Sequence, residues 1–168
     1  MRRATLIFLS MLMAAVLDTT LIPTMIPGPA RPNLALIVAS VWAALGAPYG
    51  YIWVFIAGLL LDVFSAAPTG MFALSLLGGN LVARVIEAAP IPVEWFRVSV
   101  WVALVTVIAH SAWIAFHRLT GQMIDLSYAT QSVILPALVL NPLISIPVYL
   151  LQSRILAGTS DKTLGSGI

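Results

Sequence analysis

The chain has 168 residues, of which 61% are hydrophobic and only 8% charged. A soluble domain carries about 25% charged residues, so this composition has too little polar surface to face water and belongs in a membrane. The basic residues behind the net charge of +2 are scattered, which argues against nucleic acid, and the lack of cysteine excludes disulfides, thiolate metal sites and a cysteine nucleophile.

At about 20 residues per crossing, the chain has room for about six spans and no separate soluble domain. Arg2 and Arg3 precede an apolar run that reaches Met25, interrupted only by Asp18 and some threonines. This run is longer than a signal-peptide core and is expected to remain as the first span, 4–25. The rigid loop Pro27-Gly28-Pro29-Ala30-Arg31-Pro32 follows. The second span, 33–46, is short. Gly46-Ala47-Pro48-Tyr49-Gly50 then predicts a reversal into a third span, 49–64, in which Asp62 ends a run of Leu59, Leu60 and Leu61.

One long helix kinked at Pro48 is the alternative, and the positive-inside rule separates the two. With a reversal, Arg2, Arg3, Arg84, Arg97, Arg154 and Lys162 share the side of both termini, leaving Arg31 and Arg118 opposite. That asymmetry favours six spans with cytoplasmic termini. The fourth span, 69–88, carries Ser75, Gly79 and Ala83 four residues apart, a small-residue face for packing inside the bundle or against a partner helix. The fifth, 94–117, has Trp95, Trp101 and Trp113 as a partial aromatic belt. The sixth, 127–152, contains Pro136, Pro142 and Pro147 and must be kinked or broken. A Gly/Ser/Thr-rich stretch, 157–168, reads as a flexible cytoplasmic tail.

An ionisable group in hydrocarbon needs a reason. Arg84 and Glu87 can pair near a helix end. Asp18, Asp62 and His110 fall at comparable depth in the outer halves of their spans, and Arg31 begins the second span on that side. They are expected to form an outward-facing polar cluster in which Arg31 pairs with Asp62. The opposing expectation is that each merely caps or anchors its own helix. No catalytic constellation, metal-ligand spacing or phosphate loop is present in the sequence, so neither an enzyme nor a cofactor is expected.

Arg31-Pro32-Asn33 opening an apolar helix, Gly58-Leu59-Leu60-Leu61-Asp62 ending the next, and Pro68-Thr69-Gly70 with Leu74 resemble the core signature of MreD, the bacterial rod shape-determining membrane proteins. The match covers about residues 31–80, and family roles carry over only to Arg31, Pro32, Asn33, Gly58, Asp62 and Gly70. The resemblance implies an all-α bundle of six transmembrane helices in the bacterial inner membrane, similar in fold to the substrate-binding subunits of energy-coupling-factor transporters. It also implies a non-enzymatic scaffold of the peptidoglycan-synthesising elongation complex. The partners would be MreC and, through it, MreB, RodA and a class B penicillin-binding transpeptidase. Ser75, Gly79, Ala83, Trp101 and Trp113 are the candidate surface for MreC. The alternative function is a vitamin-type substrate-binding subunit of a transporter.

Overall fold

The computed structural model describes residues 2–65 and 68–164, with side chains for 3–65 and 68–158. The regular structure of the described residues is all helical, with no strand among them. The helices are α1 (Arg2–Met25), α2 (Leu34–Ala44), α3 (Gly50–Phe64), α4 (Met71–Ala83), α5 (Glu94–Leu119), α6 (Leu126–Ala129) and α7 (Leu135–Leu164). A 3-10 turn, Arg84–Ala88, extends α4, and a π-turn, Thr130–Ile134, joins α6 to α7. Four helical runs are long and apolar enough to cross a membrane: Arg3–Met25, Met71–Ala88, Glu94–Leu119 and Leu126–Gly158. The apolar helices α2 and α3 are shorter.

The reversal expected between α2 and α3 is present. Gly46 adopts a left-handed conformation (φ +66°), and the Ala47 N–H donates to the Trp42 carbonyl while the Gly46 N–H donates to that of Ala43. This pair of bonds closes the last turn of α2 and stops it, because only the glycine enters the left-handed region without a Cβ penalty. Tyr49 is also left-handed (φ +59°), and α3 starts at Gly50. Leu61, near the end of α3, and Leu36, near the start of α2, line one cavity, so the two helices run antiparallel.

α2 sits at the centre. It packs on α1, α3, α5 and α7, and eight of its eleven residues are buried, among them Leu36, Ile37 and Trp42. At 1.5 Å per residue it is only about 16 Å long. Asn33 is extended (φ −109°) and caps the helix through its side chain, which fixes the start at Leu34, and Pro32 keeps Arg31 out of helical geometry. The outer helices are therefore longer than the one they surround.

Small residues set the remaining contacts. A Cβ on Gly58 would lie 2.3 Å from the Ala73 Cα, so α3 and α4 touch backbone to backbone there. A Cβ on Gly79 would lie 3.2 Å from Val105 on α5. The small-residue face of α4 is thus used within the chain, and Gly79 and Ala83 are buried. Of the three prolines in the last span, Pro142 and Pro147 lie inside α7. Pro136 is the second residue of α7, directly after the π-turn. In the stretch 157–168, expected as a tail, α7 continues to Leu164, and 165–168 lie outside the described residues.

Two glycine substitutions should behave in opposite ways. Gly58→Ala should destabilise the protein by about 1–3 kcal/mol or more through backbone overlap. Gly78→Ala, with nothing within 4 Å of its new Cβ, should be neutral or stabilise by about 0.5–1 kcal/mol. Thermal unfolding in mild detergent, followed by circular dichroism, checks both.

Candidate functional site

The first four N–H groups of any α-helix lack partners within it. In lipid each orphan costs several kcal/mol, and the start of α2 lies among other helices rather than in solvent. Three side chains from three elements meet the need. Asp18 of α1 accepts from the Leu34 N–H through Oδ1 and from the Ala35 N–H through Oδ2, both at 2.7 Å. Asn33, the residue before the helix, accepts from the Leu36 N–H at 2.8 Å. Asn141 of α7 accepts from the Asn33 N–H at 3.0 Å. The next amide, Ile37, already bonds to the Asn33 carbonyl. Asp18 also puts a negative charge at the positive end of the α2 dipole.

Asp62 does the same for α4. Its carboxylate accepts from the N–H groups of Gly70 (2.8 Å), Phe72 (2.9 Å) and Ala73 (3.4 Å). Gly70 is left-handed (φ +94°), a conformation that would strain any residue with a Cβ. Asp62 is buried, at 5% exposure. Each aspartate therefore caps the helix that follows its own.

The expected ion pair between Arg31 and Asp62 is not formed. Arg31 Nε instead donates to the Ile26 carbonyl at 2.9 Å, tying the loop back onto the C-terminal end of α1. The physical reason is that Asp62 already has three amide donors, which reduces what a guanidinium could add. Arg84 and Glu87 do approach each other, at 3.8 Å on the surface. Among the described residues there is no group of three or more potential metal ligands.

Asp18, Arg31 and His110 do come together, around a cavity of about 360 Å³ at the end of the bundle where α1, α3 and α5 finish. Asp62 does not line it, although its neighbours Leu61 and Ser65 do. The cavity exists because α2 is short. Its recessed start leaves space beneath the loop that carries Pro29, Arg31 and Pro32. The inner wall is apolar, built by Leu36, Leu61, Phe72 and Leu76, with Trp113 of α5 beside His110. His110 Nδ1 lies 2.8 Å from the Thr106 carbonyl. A carbonyl only accepts, so Nδ1 carries the proton and Nε2 is left as an acceptor in the neutral ring.

Three of the five candidate partner-surface residues, Gly79, Ala83 and Trp101, are buried within the chain. Trp101 is buried at 2% exposure, and its Nε1 donates to Asn80 Oδ1 at 2.9 Å. Asn80 in turn donates to Ser40 Oγ at 3.2 Å and to the Leu76 carbonyl at 2.9 Å. Trp101 and Gly79 thus face neighbouring helices of this chain, and Ala83 is buried. Ser75 donates to the Met71 carbonyl of its own helix, and Trp113 lines the cavity.

Attention to ionisable groups alone overlooks the asparagines. Asn141 also donates to Thr106 Oγ1 at 3.1 Å, so one side chain joins α2, α5 and α7. The signal is an asparagine inside an apolar helix, as in Leu140-Asn141-Pro142 and Gly79-Asn80-Leu81. Such a group is costly in lipid unless its amide is paired.

No family model, curated protein or solved structure matches the chain.

Removing the caps should be costly. Asp18→Ala orphans two amides and Asp62→Ala up to three, so each should lower stability by about 2 kcal/mol or more. Faster hydrogen exchange at residues 34–35 and 70–73 respectively would show it. Because Arg31 and Asp62 do not pair, the double reversal Arg31→Asp with Asp62→Arg should recover none of the stability lost by Asp62→Arg. Unfolding midpoints of the two single variants and the double variant test this.

Proposed function

We propose that this chain is a non-enzymatic scaffold subunit of the bacterial cell-elongation complex, related to the MreD proteins. It would cross the inner membrane six times with both termini cytoplasmic, in a bundle like that of energy-coupling-factor substrate-binding subunits. Its immediate partner would be MreC, which would link it to MreB, RodA and the class B transpeptidase.

One observation supports this reading most. Apart from Arg31, the residues that carry the resemblance converge on one structural task, the start of a helix after a turn. Pro32 and Asn33 set the start of α2, and Asp62 and Gly70 set the start of α4. Gly58 lets α3 and α4 approach closely enough for Asp62 to reach the α4 amides. A motif whose parts build helix starts suits a packing scaffold better than a reaction centre. MreC would then have to dock on a face other than the one formed by Gly79, Ala83 and Trp101. The outward apolar side chains of α1, such as Leu9, Met13 and Leu21, are available for van der Waals contact with a single helix.

A second reading, a vitamin-type substrate-binding subunit of a transporter, is favoured by the cavity beside Arg31 and His110. One experiment separates the two. Affinity capture of the tagged chain from native membranes should recover MreC and wall-synthesis proteins, and depletion in a rod-shaped host should give rounded cells that lose MreC from the membrane. Normal rods after depletion, or a copurifying ATPase module in place of MreC, would overturn the scaffold reading.

A further inference from the structure

The cavity at the end of α1, α3 and α5 has an uneven distribution of polar groups. Its loop side holds Arg31, whose Nε is engaged by the Ile26 carbonyl but whose two Nη atoms have no ion-pair partner among the described residues. Most other polar atoms of the lining are already used. Both oxygens of Asp18 take α2 amides, Asn33 Oδ1 takes the Leu36 N–H, and Thr19 Oγ1 donates to the carbonyls of Ala15 and Val16. His110 Nε2 remains as an acceptor. The inner wall, by contrast, reaches the core through Leu36 and Leu76, each 1% exposed. A volume of about 360 Å³ lies at the lower end of the small-ligand range of roughly 300–1,000 Å³.

The charge balance favours an anion. Both oxygens of Asp18 are held by amides at the positive end of the α2 dipole, whereas the Arg31 Nη atoms have no ion-pair partner among the described residues. Two free groups of opposite hydrogen-bonding character, a cationic donor and a neutral acceptor, fit a head with an anionic oxygen and a hydroxyl. A water-borne polar solute would have to desolvate its far side against leucine and phenylalanine without compensation. A molecule already in the bilayer carries its own apolar body.

We propose that this cavity is a binding site for an anionic membrane lipid with a hydroxylated phosphate head. Arg31 would bind the phosphate, His110 Nε2 would accept from a head-group hydroxyl, and the first part of one acyl chain would lie against Leu36, Leu61 and Leu76. The site stands on the cavity and its two free polar groups and does not depend on the scaffold reading, so the two can fail separately.

The test uses the full chain, purified in detergent and mixed with defined lipids before native mass spectrometry. One phosphatidylglycerol should be retained at concentrations where phosphatidylcholine is lost. Arg31→Gln should weaken that retention by about tenfold or more, with unchanged helix content, and Arg31→Lys should keep part of it. A photoactivatable phosphatidylglycerol on the unaltered protein should label Leu36, Leu76 or Trp113, which needs no variant to fold. Equal retention by Arg31→Gln, equal retention of the two lipids, or labelling only on the outer faces of α1 and α7 would overturn the proposal. So would displacement by glycerol phosphate at matching concentration, which would make the ligand a soluble phosphate.

Discussion

The start of a helix that lies inside a bundle is the constraint around which this protein is arranged. α2 is too short to bring its first amides to the end of α1, yet those amides cannot remain unpaired among apolar side chains. Asp18, Asn33 and Asn141 supply four acceptor contacts, one for each orphan donor. None of the three could do it alone, because a carboxylate reaches two adjacent amides and each asparagine oxygen takes one here. The start of α2 therefore ties α1 and α7 together across most of the chain length.

The same solution appears a second time, with a shorter span. Asp62 reaches only 8 to 11 residues ahead, across a turn ended by the left-handed Gly70, and satisfies the first amides of α4. Repetition of the device explains why an aspartate can follow three leucines near the end of an apolar helix. Its charge is neutralised by backbone dipoles rather than by a countercharge, which leaves Arg31 free for the end of α1 and for the cavity.

Packing and polarity then support each other in the interior. The Gly58 contact with Ala73 and the Gly79 contact with Val105 bring α3, α4 and α5 close together. At that spacing the Ser40–Asn80–Trp101 chain can join α2, α4 and α5 with direct hydrogen bonds. A small-residue stripe is attractive to any helix that can reach it, and the neighbour in the same chain is always nearest. In the space left over, beneath the loop and above the recessed α2, the Arg31 guanidinium and a buried apolar wall meet.

Much of the architecture could be read from the residues. Hydropathy runs and prolines delimited six apolar helices, and Gly46 with Gly50 marked the reversal between α2 and α3, because glycine and proline act on the backbone wherever they stand. The depth of Asp18 and His110 along their helices followed from a fixed rise per residue, and both line the cavity. What each polar group bonds to did not follow. Asp62 looked like a partner for Arg31 because charge is visible in a sequence, whereas the competing acceptor demand of the α4 amides depends on where that helix begins in space. Asn80, Asn141 and Trp101 found partners 21 to 108 residues away along the chain. Local rules therefore determined the helices and their turns. Only the tertiary structure decided the hydrogen-bond partners, because they are set by distances between elements that the order of residues does not contain.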